Sequence, residues 1–308
     1  MTISWYTTDM KEEGVFAMSA RAKTFEEQKS TIQNLTFDHL GKRFDEISIT
    51  LTEESLELLN IRNKHGYTQL GFILSDQCDQ SIKVASFRDE YRMDVIERDE
   101  FTGCVLKQMD EALAFISRYN RTSSVIKGIY REDKREFSET SIREAMANAI
   151  IHRDYSLDDP ILVSIYPKRI TITSPGGMRR PYTIDELIRG VSSLRNRGLA
   201  SIFYRLRLIE AYGTGIPRIF GAYDGLQVKP TIETGSSSFT ITLPAEDDND
   251  DKIESFLKDR NEFTRQTMEE ELGLKRSTAV SIIKGLVERG TITKIGDGRS
   301  IRYLVNRR

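Results

Sequence analysis

The stretch REAMANAIIHRD, Arg143 to Asp154, constrains the fold more than any other part of the chain. Alanine is the strongest helix former, and no Gly or Pro interrupts the run. The segment therefore reads as a helix. Residues four apart on a helix stack on one face. Glu144, Asn148 and His152 then form one polar stripe of acid, amide and imidazole. Ala147, Ala149, Ile150 and Ile151 fall on the side that a core would cover.

Such a stripe has two readings. A solvated face is the commoner use of Glu, Asn and His on a helix. The other is phosphate chemistry. A carboxylate can hold and polarise a water as general base. An amide oxygen is a hard neutral ligand suited to Mg²⁺, which keeps most of its waters and leans on substrate phosphates. An imidazole one turn further can meet a phosphate oxygen, and phosphoryl transfer asks of a protein mainly positioning and charge stabilisation.

Two glycine-rich segments favour the second reading. SPGGM, Ser174 to Met178, follows a strand pattern, and its paired glycines allow close backbone approach to a ligand. YGTGIPRI, Tyr212 to Ile219, places Gly213, Thr214 and Gly215 where a helix begins, with Pro217 in the first turn. A glycine-rich lead into a helix N-terminus suits an anion. Taken singly, each is also an ordinary turn. Their order along the chain carries the argument.

Three blocks are expected. In the first, residues 1–121, GYTQLGFILSD and QSIKVASFRD read as strands, and FTGCVLKQMDEALAFISRYN reads as a helix with apolar spacing near 3.6. The second, residues 122–246, opens with the Ala-rich helix. LVSIY and ITITS follow as strands of a hairpin turning at Pro167–Arg169. TIDELIRG and GLASIFYRLRLIEAYG read as helical and SSFTITLP as a strand, before the acidic linker PAEDDNDD, Pro244 to Asp251. The third, residues 252–308, reads as three helices and a hairpin. KIESFLKDR comes first. TRQTMEEELGL follows, with Thr264 as N-cap and Gly273 as terminator. KRSTAVSIIKGLVERG is the third, and TITKIGDGRSIRYLV alternates around a Gly-Asp-Gly turn. That is the pattern of a winged helix-turn-helix. The fold class is α+β.

This order of motifs resembles the GHKL ATPase fold. More closely, REAMANAIIHRDYS, ITITSPGGM, SSLRNRGLASIFYRLRLIEAYGTGIPRI and the terminal block resemble a bacterial family of transcriptional regulators. Its members are also described as ATP-dependent DNA helicase RecG-like proteins. The resemblance runs from about Tyr67 to the C-terminus. It implies a smaller N-terminal α/β region of the AlbA/Schlafen type, truncated or diverged here, a GHKL-like α/β sandwich in the middle, and a C-terminal winged helix. It implies ATP and Mg²⁺ as cofactors. Glu144 is then the catalytic base, Asn148 the Mg²⁺ ligand and His152 a phosphate-side contact. Gly176 and Gly177 form the adenine-side turn, and Gly213, Thr214 and Gly215 cradle phosphates. GHKL enzymes carry an Asp at the start of the first glycine box. This chain has Ser174 there, which exchanges a charge-assisted bond to the adenine amino group for a weaker neutral one.

The resemblance leaves two functions open: a DNA-binding transcriptional regulator with a nucleotide-sensing domain, or an ATPase of DNA metabolism. The sequence contains no G-x-x-x-x-G-K-[ST] phosphate loop, which a helicase motor uses. The terminal block has more Lys and Arg than Asp and Glu, whereas the whole chain carries a formal charge of -2, so contact with nucleic acid is expected to be local. Lys275, Arg276, Ser277, Thr278 and Lys284 fall on the expected recognition helix, and Arg299 and Arg302 on the wing. A homodimer reading two half-sites is the expected assembly. Cys78 and Cys104 are too few for a disulfide framework or a cysteine metal site. No apolar run approaches the roughly 18 residues of a membrane span, and the N-terminus lacks the basic and apolar regions of a secretory signal. A cytoplasmic protein without membrane partners is expected.

Overall fold

The structure is a computed structural model that describes residues 24–127, 130–178, 181–191, 193–210, 213–226, 228–245, 249–258, 260–296, 298 and 301–306. A 3-10 turn at Phe25–Glu27 leads to helices α1 (Asp38–Asp45) and α2 (Glu53–Leu58), the short pair β1 (Arg62–Asn63) and β2 (Gly66–Tyr67), and α3 (Gln69–Leu74). Strands β3 (Ile82–Phe87) and β4 (Val95–Phe101), helix α4 (Val105–Tyr119), and the hairpin β5 (Thr122–Lys127) and β6 (Tyr130–Arg135) follow. Then come α5 (Glu139–His152), β7 (Ile161–Ile165), β8 (Arg169–Pro175), α6 (Ile184–Ile188), α7 (Arg197–Arg205), α8 (Gly215–Gly221), β9 (Thr231–Thr234) and β10 (Ser238–Pro244). The chain ends with α9 (Asn249–Lys258), β11 (Glu262–Phe263), α10 (Arg265–Leu272), α11 (Arg276–Glu288), β12 (Ile292–Ile295) and β13 (Arg302–Val305).

The central sheet is six-stranded and mixed, in the order β4-β3-β7-β8-β10-β9. Its β3–β7 pairing is parallel and its other pairings are antiparallel. The sheet crosses the position near Arg121 where the sequence reading divides its first two blocks. Alternation explains which face is covered. Ile170, Ile172 and Ser174 of β8 and Ile241 and Leu243 of β10 are buried. Thr173 and Thr240 point the other way and share a cross-strand hydroxyl bond of 2.9 Å. The buried face packs against α5 through Ala145, Ala149 and Ile150, within one apolar cluster that runs from Leu40 to Ala245. Each fully buried Ile or Leu there is worth about 1.5–3 kcal/mol of burial free energy.

A second cluster holds the terminal block together: Phe256, Phe263, Met268, Ile282, Ile283, Leu286 and Ile292 are among its members. Thr264 caps α10 by accepting the Thr267 N–H at 3.1 Å, and Gly273 ends it in the left-handed conformation. Both ends lie where the sequence places them. The expected β12–β13 hairpin pairs Ile295 with Arg302. It gains a third strand, β11, in the order β11-β13-β12.

Several sequence expectations need correction. GYTQLGFILSD is not a strand beyond β2; Gln69–Leu74 is helical, capped by the Thr68 hydroxyl, which accepts the Gly71 N–H at 3.1 Å. A short apolar run cannot by period alone be told from a buried helix. The helix expected through residue 213 stops at Arg205, and Arg207 takes a left-handed φ of 57°. The acidic linker is shorter than expected, because α9 already begins at Asn249.

Candidate functional site

Helix α5 forms as the Ala-rich run predicts, with the Ser138 hydroxyl accepting the Ser141 N–H at its start. Ala147, Ala149, Ile150 and Ile151 are buried as expected, but so is Glu144, only 4% exposed. A buried carboxylate needs partners. Arg143 Nη2 and Arg218 Nη1 each lie 3.3 Å from Glu144 Oε1. Arg218 comes from α8, which can lie this close to α5 because its first residue is glycine. A Cβ at Gly215 would sit 2.8 Å from Asn148 Nδ2 and 3.2 Å from Glu144 Oε2. Asn148 Nδ2 donates to the Glu144 carbonyl at 2.7 Å. A carbonyl only accepts, so the amide nitrogen must face it, and Asn148 Oδ1 is turned elsewhere.

The turn after β8 is braced from several sides. Ser174 is buried and donates its hydroxyl proton to the Ala149 carbonyl at 2.7 Å. Gly176 has a φ of 94°, and a Cβ there would meet Asp154 Cβ at 2.7 Å. A Cβ at Gly177 would come within 2.1 Å of the Gly235 carbonyl oxygen. Asp154 donates its N–H to the Pro175 carbonyl at 2.9 Å. Its carboxylate pairs with Arg195, which also donates to the Gly177 carbonyl at 2.7 Å. Burial pushes the Asp154 carboxyl up, but the Ser156 hydroxyl and N–H and the Arg195 guanidinium outweigh it and hold the group below the usual aspartate range. Asn196 then ties the start of α7 to the end of α5, donating to the Ile151 and Arg153 carbonyls at 2.8 Å each. Glu26 accepts the N–H groups of Gly198 (3.0 Å) and Leu199 (2.7 Å) at that same helix start. Burial nevertheless raises the Glu26 carboxyl above its ordinary value.

These elements enclose two adjoining cavities. One, of about 100 Å³, is bounded by Ser174, Gly176, Gly177, Tyr182, Arg195 and Phe239. The other, of about 440 Å³, is bounded by Glu144, Arg197, Glu210 and Thr214 among others. Asn148, His152, Gly213 and Gly215 line both. The geometry thus brings together all nine site residues that the sequence singles out in the middle block. A carboxylate, an amide, an imidazole and two glycine turns face connected space of the size range that small ligands occupy.

Sequence reasoning missed the residues that hold this arrangement. Asp154, Arg195 and Asn196 lie in or beside quoted motifs, but nothing in their spacing reveals the brace. Arg218 sits one turn past Gly215, which is a local signal for a residue facing α5. Glu26, far away in the chain, gives none. Among the described residues, no cluster of three or more His, Cys, Asp or Glu could hold a metal ion. Burial pushes Cys78 and Cys104 up to about 12, so neither is a thiolate nucleophile at neutral pH. No helix among the described residues is long and apolar enough to cross a membrane.

In the terminal block, Lys275, Arg276, Ser277, Thr278 and Lys284 are all exposed on or just before α11. Lys284 lies 3.9 Å from Glu288, and Arg302 donates to Glu262 at 2.9 Å. Arg299 lies outside the described residues.

Residues 158–243 match the family described as "Putative ATP-dependent DNA helicase recG C-terminal". No curated protein matches the chain. In fold the protein is similar to the DIP2311 protein from Corynebacterium diphtheriae, with a TM-score of 0.65 and 21% identity. That match covers 93% of this chain, which spans 65% of the other's length.

Proposed function

We propose that this protein is a DNA-binding regulator whose middle region binds an adenine nucleotide. The observation that carries the reading is the close seating of Gly215 on the Glu144–Asn148 face. It joins the polar stripe and both glycine turns around connected cavities. The match of residues 158–243 supports it. The purine is assigned to the smaller cavity and the phosphates to the larger. Ser174 suits the purine side. Its proton is committed to the Ala149 carbonyl, so its lone pairs remain to accept from an exocyclic amino group. Arg195 Nε is buried there without a hydrogen-bond partner among the described residues and supplies a donor. Asn148 Oδ1 fits a Mg²⁺ ion that takes its other ligands from phosphates and water. Such an ion would neutralise phosphate charge. His152 and the Gly213–Gly215 backbone would position the phosphate chain.

The terminal block is read as a winged helix-turn-helix. Helices α10 and α11 meet at Gly273, and the three-stranded sheet provides the wing. The start of α11 presents Lys275, Arg276, Ser277 and Thr278 to a major groove, with Lys284 and Arg302 on phosphates. A homodimer would place two such units on half-sites about one DNA turn apart.

The alternative is an ATPase. Glu144 faces the larger cavity as a base would, but two guanidiniums hold one of its oxygens. A single experiment separates the readings. Thermal melts of the wild type and of Asn148→Ala are run with adenosine, ADP and ATP, with and without Mg²⁺. Phosphate release is followed in the wild type and in Glu144→Ala. Stabilisation by ADP or ATP without turnover marks a sensor. Turnover abolished by Glu144→Ala marks an enzyme. The absence of any nucleotide effect sinks both.

A further inference from the structure

A third cavity, of about 450 Å³, shares Tyr204, Ile209 and Glu210 with the larger of the two described above, and its walls also include Arg143, Arg205, Arg207 and Arg218. Four arginines line it. Glu144 accepts from two of them, Arg143 and Arg218, and Glu210 pairs with Arg218. The Arg218 hydrogen bond holds the Glu210 carboxyl below its ordinary range, so that carboxylate stays charged and committed. The side chains of Arg205 and Arg207 make no ion pair or hydrogen bond among the described residues. The cavity therefore has a surplus of positive charge, and like charges gathered around one space repel one another.

Arg207 adds an independent observation. It sits just past the end of α7 with a φ of 57°. Its N–H bonds the Tyr204 carbonyl at 2.9 Å and the next N–H bonds the Phe203 carbonyl at 2.9 Å, the capping pattern in which Gly or Asn is usual. An arginine there adopts a strained backbone conformation while standing on the wall of a cavity already rich in arginine, and such outliers gather at ligand sites. Guanidinium forks match the geometry of phosphate oxygens in paired hydrogen bonds, as a lysine cluster would not.

We propose that this arginine cavity is a binding site for a phosphate-bearing small anion, with Arg205 and Arg207 as its uncommitted ligands and Arg143 and Arg218 as its inner wall. The assignment does not depend on the nucleotide reading, because no purine is needed. Two sources share the chemistry: a free inorganic anion, or the terminal phosphates of a nucleotide reaching from the adjoining cavity past Glu210.

The probe is inorganic pyrophosphate, titrated calorimetrically into the full chain at low ionic strength. The Arg205→Gln/Arg207→Gln double variant is expected to weaken pyrophosphate binding at least tenfold. Both residues are exposed, and a thermal melt checks that the variant folds. A control, Lys64→Gln/Arg98→Gln, removes the same charge at exposed positions off the cavity and is expected to change affinity less than twofold. Repeating the titration with saturating ATP separates the sources. Competition assigns the site to a nucleotide's terminal phosphates, and independent binding assigns it to a free anion; either supports the proposal. Failure of the wild type to bind pyrophosphate overturns it, as does equal weakening in the control. If ATP fails to bind while pyrophosphate still binds, the nucleotide reading falls and the arginine site stands.

Discussion

Helices α5 and α11 each carry polar residues beside an apolar face, and the protein treats the two in opposite ways. On α5 the polar stripe is largely covered: Glu144 is buried under α8, and Asn148 and His152 are half-buried and line the two cavities. At α11 the polar residues lie open, with Lys275 just before the helix and Arg276, Ser277, Thr278 and Lys284 on it exposed, while Ala279, Ile282, Ile283 and Leu286 are buried. Enclosed polar groups must be matched atom by atom, because each unpaired one costs free energy. Open ones are free to meet a large partner. Polar residues beside an apolar face thus line cavities in one region and an exposed surface in the other.

The comparison breaks most readily at Gly177. Its missing side chain lets the turn press on the Gly235 carbonyl, which is backbone and cannot step aside. Gly177→Ala is expected to cost about 3 kcal/mol in a urea melt, the upper end for forced overpacking. A loss below about 1 kcal/mol would show that the turn is not held closed.

Glu144→Ala strips two guanidiniums of a shared partner. Because Arg143 and Arg218 are themselves partly exposed, water takes over some of the loss, and about 1–2 kcal/mol is expected. Ser174→Ala follows at about 1 kcal/mol for the hydroxyl bond to Ala149, accompanied by a smaller thermal shift with adenosine. An unchanged adenosine response would place the purine elsewhere.

The pH dependence sharpens the contrast between enclosed groups. The raised Glu26 carboxyl contributes stability in full below the ordinary glutamate value of about 4.3, and that contribution is lost as pH rises through its folded value. Glu26→Gln should flatten the stability profile across that window. Asp154 has the opposite sign, contributing above the ordinary aspartate value and losing its contribution as pH falls through the depressed folded value. Asp154→Asn should therefore flatten the profile on the acid side. Profiles that keep the wild-type slope in both variants would contradict the assignments.

The smallest stability effect is expected on the open helix. Lys275→Ala and Arg276→Ala should each change the melt by less than about 0.5 kcal/mol. Each should nevertheless weaken DNA binding and flatten its dependence on log salt by about 0.9 per lost phosphate contact. A salt slope identical to the wild type would remove that residue from the interface.

Much of this was legible in the sequence. The α5 stripe, the β7–β8 hairpin, the Thr264 and Gly273 caps of α10 and the β12–β13 hairpin follow from periods and cap residues within a few positions of each other. Gln69–Leu74 is helical where the sequence suggests a strand, because six apolar-rich residues are too few to distinguish a strand's period from that of a buried helix. The end of α7 at Arg205 carries no sequence signal, because an arginine, not a glycine, occupies the left-handed position beyond it.

What the sequence determined by itself is the set of side chains on each helix face, since 3.6 residues per turn is a local property that distant contacts do not alter. What the tertiary structure decided is which of those faces would be shut. Arg218 reaches Glu144 across 74 positions, Arg195 reaches Asp154 across 41 and Glu26 reaches Leu199 across 173. Such meetings depend on how layers pack, and spacing along the chain carries no record of them.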